Sequence, residues 1–291
     1  MNTRPAPPTW RSLLFVPVTR ADFVAKAHTR GADAIQLDLE DAVAPGEKQA
    51  AREALPAAVA EIAGHGVDVV VRVNRPWRLL LRDLEAAVLP GVKALALPKV
   101  PHAQHITACA EIVAELEAER GLEPGGIGFI GMVETAEGLL NAREIAAAHP
   151  RVVALTLGAE DYATDLGIVP EPDLLHSAKQ QLIVAARAAG VLPYGLLGTV
   201  AHYADADAFA QTVENSRRLG FVGSSAIHPS QVPILNAGFT PPADQVSHAE
   251  RLIAAYEQAK SQGLGAIEFE GSMIDEPVAE RARKLLERAR R

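Results

Sequence analysis

The chain has 291 residues, 48% of them hydrophobic but only 4% aromatic, and a formal net charge of −8. That acidity, with no basic patch interleaved with aromatics, argues against nucleic-acid binding, and one cysteine, Cys109, excludes an internal disulfide framework and suits a reducing compartment. No apolar run approaches the ~20 residues of a membrane-spanning helix, and the opening MNTRPAPPTW lacks the apolar core of a signal peptide, so a cytoplasmic protein is expected.

Residues 1–10 are Pro-rich and read as an extended arm. The first strand is expected at 12–17 (SLLFVP), with a helix over 21–30. The second strand, 34–39 (AIQLDL), leads into Glu40 and Asp41, and a helix follows Pro45 to about Ala63. A third strand at 68–73 (DVVVRV) precedes a helix over 79–88, and a fourth at 94–100 (ALALPKV) precedes one over 103–120. Strands five and six, 127–133 and 152–157, flank a helix over 136–148. A helix at 173–189 precedes strand seven (192–197), and one at 205–219 precedes strand eight (221–227). The apolar runs are continuous rather than alternating, which marks strands buried on both faces. Eight strand–helix repeats predict a TIM (β/α)₈ barrel over 11–242, with a C-terminal helical extension over 243–291. No GxGxxG follows the first strand, which disfavours a doubly wound open sheet.

The most informative stretch is 126–161, a strand–helix–strand unit whose strands each lead into an acid. A right-handed crossover makes those strands parallel, so Glu134 and Asp161 are expected to emerge together at strand carboxyl ends, where barrel active sites lie. Two hard oxygen ligands suit Mg²⁺, which takes one or two carboxylates and fills its octahedron with water and substrate.

Other ionisable residues end strands on the same side. Arg72 reads either as a rim ion pair with Asp38 or Glu40 or as a bidentate clamp on a substrate oxygen. Asp38 and Glu40 share one face by strand alternation and read as supporting groups, holding Arg72 or water beside the metal. Lys99 meets an anionic substrate or stands as a solvated loop lysine. His228, before Pro229, reads as orienting its own loop, and no histidine shows a HExxH spacing. Asp275, in GSMIDEP, has the spacing of a helix N-cap.

In order along the chain, RSLLFVPVTR, GADAIQLDLEDAVAPGEKQAAR, VVVRVN, LALPKV, GMVETAEGLLNAREI, LTLGAEDYATDLG and GFVGSSAIHPSQV resemble the citrate lyase β-subunit-like family. That family also includes malyl-CoA and citramalyl-CoA lyases and related thioesterases. The resemblance implies a (β/α)₈ barrel assembled as trimers or larger oligomers. It also implies Glu134 and Asp161 as Mg²⁺ ligands, Arg72 as the substrate-contacting arginine, and an Asp275 that reaches a neighbouring subunit's active site as a catalytic acid–base. The activity implied is Mg²⁺-dependent cleavage or formation of a 3-hydroxyacyl thioester, CoA-linked or carried on an acyl-carrier protein, to a 2-oxo acid and an acyl thioester. A citryl-acyl-carrier lyase subunit, a thioesterase and a non-catalytic 2-oxo-acid-binding subunit are the alternatives. Three departures fall on the substrate side. Val18 stands where the family commonly has Gly, Pro193-Tyr194-Gly195 lacks an Asp-Gly pair, and Gly223-Ser224 replaces Gly-Lys.

Overall fold

The computed structural model describes residues 8–201 and 203–289. The expected N-terminal arm therefore falls largely on residues 1–7, outside the described ones. The strands of the first part are β1 (Ser12–Pro17), β2 (Ala34–Asp38), β3 (Asp68–Arg72), β4 (Val92–Leu97), β5 (Gly128–Val133), β6 (Val152–Leu157), β7 (Leu192–Tyr194) and β8 (Ser224–Ala226). They form one eight-stranded sheet in the order β7-β6-β5-β4-β3-β2-β1-β8, every neighbouring pair parallel. Two backbone bonds, Gly195 N to Gly223 O (2.9 Å) and Val222 N to Pro193 O (3.1 Å), bridge β7 to the residues before β8 and close the barrel.

The intervening helices are α1 (Ala21–Ala27), α2 (Lys48–Gly64), α3 (Trp77–Ala87), α4 (Ala103–Glu119), α5 (Ala136–Leu140), α6 (Ala142–Ala147), α7 (Ala159–Leu166), α8 (Pro172–Ala188) and α9 (Ala206–Leu219). Three details differ from the sequence expectation. The helix expected over 136–148 is two helices broken at Asn141, whose amide donates to Pro101 O at 2.8 Å instead of facing water. Residues 159–166 form α7, ended by Gly167 in the left-handed conformation. Strands seven and eight shrink to three residues each. Gly195 turns the chain out of β7 at φ 146°, and Gly223 lies so close to Trp10 and Tyr194 that a Cβ would meet the Tyr194 ring at 2.7 Å.

Strand alternation decides what faces the barrel axis. One cluster joins Leu13, Ala34, Val70, Ala94, Ala96, Ile130, Met132 and Ala154. Small alanines interleave with larger side chains, as a tapered interior requires. Two residues further along three of these strands, the same face presents Phe15, then Arg72, then Glu134, and β2 presents Asp38 four residues after Ala34. The functional side chains are thus the last inward layer.

At the opposite end, Arg151 grips buried Glu117 (Nη1 to Oε1, 2.7 Å) and Ile127 O (2.9 Å), while Glu117 accepts the Gly125 and Ile127 amides. This ties α4 to the starts of β5 and β6.

The chain forms two compact units, Met1–Ala237 and Gly238–Arg291, with the boundary inside α10 (Gln231–Phe239). The second unit contains α11 (Ala243–Ser261), a hairpin of β9 (Ile267–Phe269) and β10 (Ser272–Ile274), and α12 (Glu276–Ala289). Its turn uses Glu270 and Gly271, both at positive φ, as two-residue hairpin turns demand. Leu252, Tyr256, Ile274 and Ala279 form its core.

Candidate active site

A cavity of about 510 Å³ opens at the carboxyl end of the barrel, lined among others by Phe15, Asp38, Arg72, Glu134, Asp161 and Lys179. Its acidic side is built from β2 to β6. Asp38, buried, receives Arg72 in a fork: Nε to Oδ1 at 2.8 Å and Nη2 to Oδ2 at 2.7 Å. The Asp38 carboxylate also accepts the amides of Glu40 and Ala42, so its own orientation is fixed. Arg72 Nη1 lies 3.0 Å from Glu40 Oε2 and 3.4 Å from Asp41 Oδ2, and the guanidinium sits 4.7 Å from the Phe15 ring centroid. Burial works against the Arg72 charge, but the Asp38 bond and the nearby Glu40 and Asp41 outweigh it, so its pKa stands above the ordinary value. Arg72 is thus the ion pair with Asp38 that one sequence reading expects, its Nε–Nη2 fork taken up by that carboxylate, and it also lines the cavity.

Glu134 follows β5 and is 2% exposed. Its Oε2 accepts the Lys99 main-chain amide at 2.6 Å. Lys99 adopts φ 49° to point that amide inward, a conformation uncommon outside glycine and costly enough to persist chiefly at functional sites. Arg75 Nε secures the same residue by donating to Lys99 O at 3.1 Å. On the far side, Gly158 leaves room for the acid, because a Cβ there would stand 2.7 Å from Glu134 Cγ. Burial first, then Glu40 and Asp161, push the Glu134 carboxyl up to about 8.

Asp161 occupies the first turn of α7, and its Oδ1 lies 3.0 Å from Lys99 Nζ. The same ammonium lies 3.5 Å from Glu40 Oε1. Glu160, its chain neighbour, diverges and accepts the Thr199 hydroxyl at 2.6 Å. Glu134, Asp161 and Glu40 thus converge on Lys99. Glu40 Oε2 is buried with no aligned hydrogen bond even though Arg72 is close. Three carboxylates beside one lysine, one of them with an oxygen lacking an aligned hydrogen bond, supply the hard oxygen donors that a divalent cation such as Mg²⁺ takes.

His228 holds Ser230 (Nδ1 to Oγ, 2.7 Å) and stacks on Tyr203 at 4.8 Å, as a loop-orienting residue should. Asp275 lies in the second unit, where its Oδ1 accepts Val278 N at 3.3 Å and caps α12.

The HpcH/HpaI aldolase/citrate lyase family model matches residues 11–229. The chain belongs to that family. It is 36% identical to citrate lyase subunit beta of Escherichia coli (strain K12), covering 97% of this chain and 93% of that one. It is 35% identical to the (3S)-malyl-CoA thioesterase of Cereibacter sphaeroides (strain KD131 / KCTC 12085), over 96% and 94%. CitE from Mycobacterium tuberculosis, solved in complex with magnesium, acetoacetate and coenzyme A, aligns over all of both chains with TM-score 0.76 and 30% identity. The chain is therefore an enzyme, a lyase of the aldolase/citrate lyase superfamily with the family's barrel.

Two residues of this family member's cavity escaped sequence reading. Lys179 on α8 is 2% exposed, and its ammonium donates to Gly198 O at 2.5 Å. Burial brings its pKa down to about 8, with Glu160 working in the other direction. Thr199, beside it, receives no sequence signal at all. Lys179 does have one: it sits on the apolar stripe Leu175, Ala178, Leu182, Ala186, where a charge at core spacing asks for a partner.

Proposed function

We propose that this family member is a Mg²⁺-dependent carbon–carbon lyase for a 3-hydroxyacyl thioester such as malyl-CoA or citramalyl-CoA. The observation that carries this is that Glu134, just after β5, and Asp161, in the first turn of α7 after the neighbouring β6, line one cavity with Arg72, each held by a different part of Lys99. Glu134 and Asp161 would hold the ion, with Glu40 behind them. Once bound, it supplies a Lewis acid for the substrate's C3 hydroxyl and neighbouring carboxylate.

The reaction breaks the C2–C3 bond. C3 becomes the carbonyl of the 2-oxo acid as its hydroxyl proton passes to solvent water, and the C2–C3 electron pair passes to C2, giving the enolate of the acyl thioester. Arg72, held rigid by Asp38, stabilises the negative charge developing on the thioester oxygen without reorganising. Lys99 offers its ammonium to the substrate carboxylate. Asp275 gives C2 its proton, or removes it in the condensation direction, from a neighbouring subunit in a trimer or hexamer. The buried, free Cys109 fits a reducing, cytoplasmic setting.

The test is a panel of 3-hydroxyacyl-CoA esters with and without Mg²⁺, assayed for both 2-oxo acid and free thiol. The 2-oxo acid without thiol supports the lyase. Thiol without 2-oxo acid overturns it in favour of hydrolysis, the second reading, which the similarity to a malyl-CoA thioesterase favours. Turnover only on an acyl-carrier-linked substrate points instead to the citrate lyase beta role of the Escherichia coli relative. Binding of a 2-oxo acid with no turnover at all means a non-catalytic subunit. Asp275→Asn should lower turnover and leave Mg²⁺ affinity unchanged; wild-type turnover in that variant removes its assigned role.

A further inference from the structure

Away from the barrel mouth, α1 passes at Ala27 into a single 3₁₀ turn, His28–Arg30. The neighbouring α2 carries Glu61 and, just past its end, His65. The imidazoles of His28 and His65 stack with centroids 3.7 Å apart and planes 12° from parallel. His65 Nε2 lies 3.5 Å from Glu61 Oε1. One ligand atom from each of the three residues lies within 4.8 Å of the others. His28 Nδ1 is buried with no hydrogen-bond partner, whereas buried polar atoms nearly always have one.

We propose that His28, Glu61 and His65 form a transition-metal site that takes Zn²⁺ and staples the end of α1 to the end of α2. Two imidazoles and a carboxylate are the donor set of zinc-type ions, whereas Mg²⁺ prefers oxygen alone. Zinc bonds of ~2.1 Å in a tetrahedron put ligand atoms about 3.4 Å apart, and the Glu61–His65 separation already matches that edge. Stacked rings cannot aim both lone pairs at one ion, so one imidazole must turn about its Cβ–Cγ bond. That torsion is broad and cheap. Glu61 and His65 are exposed, so water has access to the fourth position. His28 lies far from the other two in sequence, so no metal-binding spacing announces the site.

The experiment is a calorimetric titration of Zn²⁺ into the full chain at neutral pH with saturating Mg²⁺, which keeps the barrel carboxylates out of the measurement. The expected result is one Zn²⁺ per chain. His28→Ala and His65→Ala should each weaken it at least tenfold and Glu61→Gln less. Free Zn²⁺ at ~100 times its Kd should shift the folding equilibrium about 100-fold toward the native state, read as a raised Tm. No uptake under these conditions, or uptake unchanged in both histidine variants, overturns the assignment. If His28→Ala does not fold, His65→Gln, at an exposed position, decides alone. The readout is binding, so it stands or falls independently of the proposed catalysis.

Discussion

The main-chain amide of Lys99 and the side chain of Glu134 meet across 2.6 Å, so one strand end fixes the acid of the next. The contact exists because Lys99 takes a left-handed backbone conformation, while its ammonium swings to Asp161 and Glu40. Backbone and side chain of a single residue thus serve opposite ends of the acidic cluster.

Lys99→Met separates those two roles. The turn and its amide remain, but the cation beside Asp161 is gone. Mg²⁺ should bind about tenfold more tightly, since a like charge a few ångströms away is removed. Turnover should fall, because the substrate carboxylate loses its partner. Calorimetry with Mg²⁺ and steady-state kinetics check the two halves; unchanged affinity would show that the ammonium leaves the site before the ion arrives.

Glu134→Gln should abolish Mg²⁺-dependent turnover yet stabilise the metal-free protein. The carboxyl is pushed up to about 8, so the fold disfavours its charged form, and a neutral isostere relieves ~2 kcal/mol of that at neutral pH. Gln still offers Lys99 a carbonyl oxygen. Urea unfolding in chelator measures it, and a destabilised variant would contradict the assigned burial cost.

Beneath the rim, buried Asp83 accepts Arg52 Nε at 2.6 Å, the Asn74 main-chain amide at 2.7 Å and the Asn74 side-chain amide at 2.6 Å. It locks the chain just after Arg72. Asp83→Ala leaves the Arg52 charge buried and unpaired, and should cost ~3–5 kcal/mol. Chemical denaturation reads the loss, and a cost under ~1 kcal/mol would mean that water replaces the carboxylate.

His105 gives a pH signature unrelated to catalysis. It is buried beside Cys109 and Trp77, and burial, helped by Arg75 and His102, lowers its pKa to about 4 from 6.5. The unfolded chain takes up this proton first. Its contribution to stability is therefore complete above pH ~6.5 and declines as pH falls toward 4, by up to ~3 kcal/mol. The wild type should lose more stability across that window than His105→Leu; parallel curves would refute the shift.

Strand-terminal acids on parallel neighbours were legible because continuous apolar runs make barrel staves and period-two alternation chooses the inward face. Glu134, Asp38 and Arg72 sit in that layer because of pattern alone. Lys99 could not be resolved from sequence, since nothing in LPKV specifies a left-handed backbone. The sequence places Asp161 at a strand end, yet it is a helix residue, because AEDYATDL folds as α7. Lys179 shows a charge at core spacing, but its partner Gly198 in the loop after β7, and the bond from Thr199 of that loop to Glu160 on α7, are tertiary contacts that local spacing does not encode.

The two bonds joining Gly195 to Gly223 and Val222 to Pro193 are few beside the five-residue registers of β1 with β2 and of β2 with β3. The hoop is therefore weakest beside cavity-lining residues, those of the loop after β7 (Gly195 to Thr199) and Ser224 and Ser225 of β8. In hydrogen exchange, the Gly195 and Val222 amides should therefore lose protection sooner than those of β2 and β3.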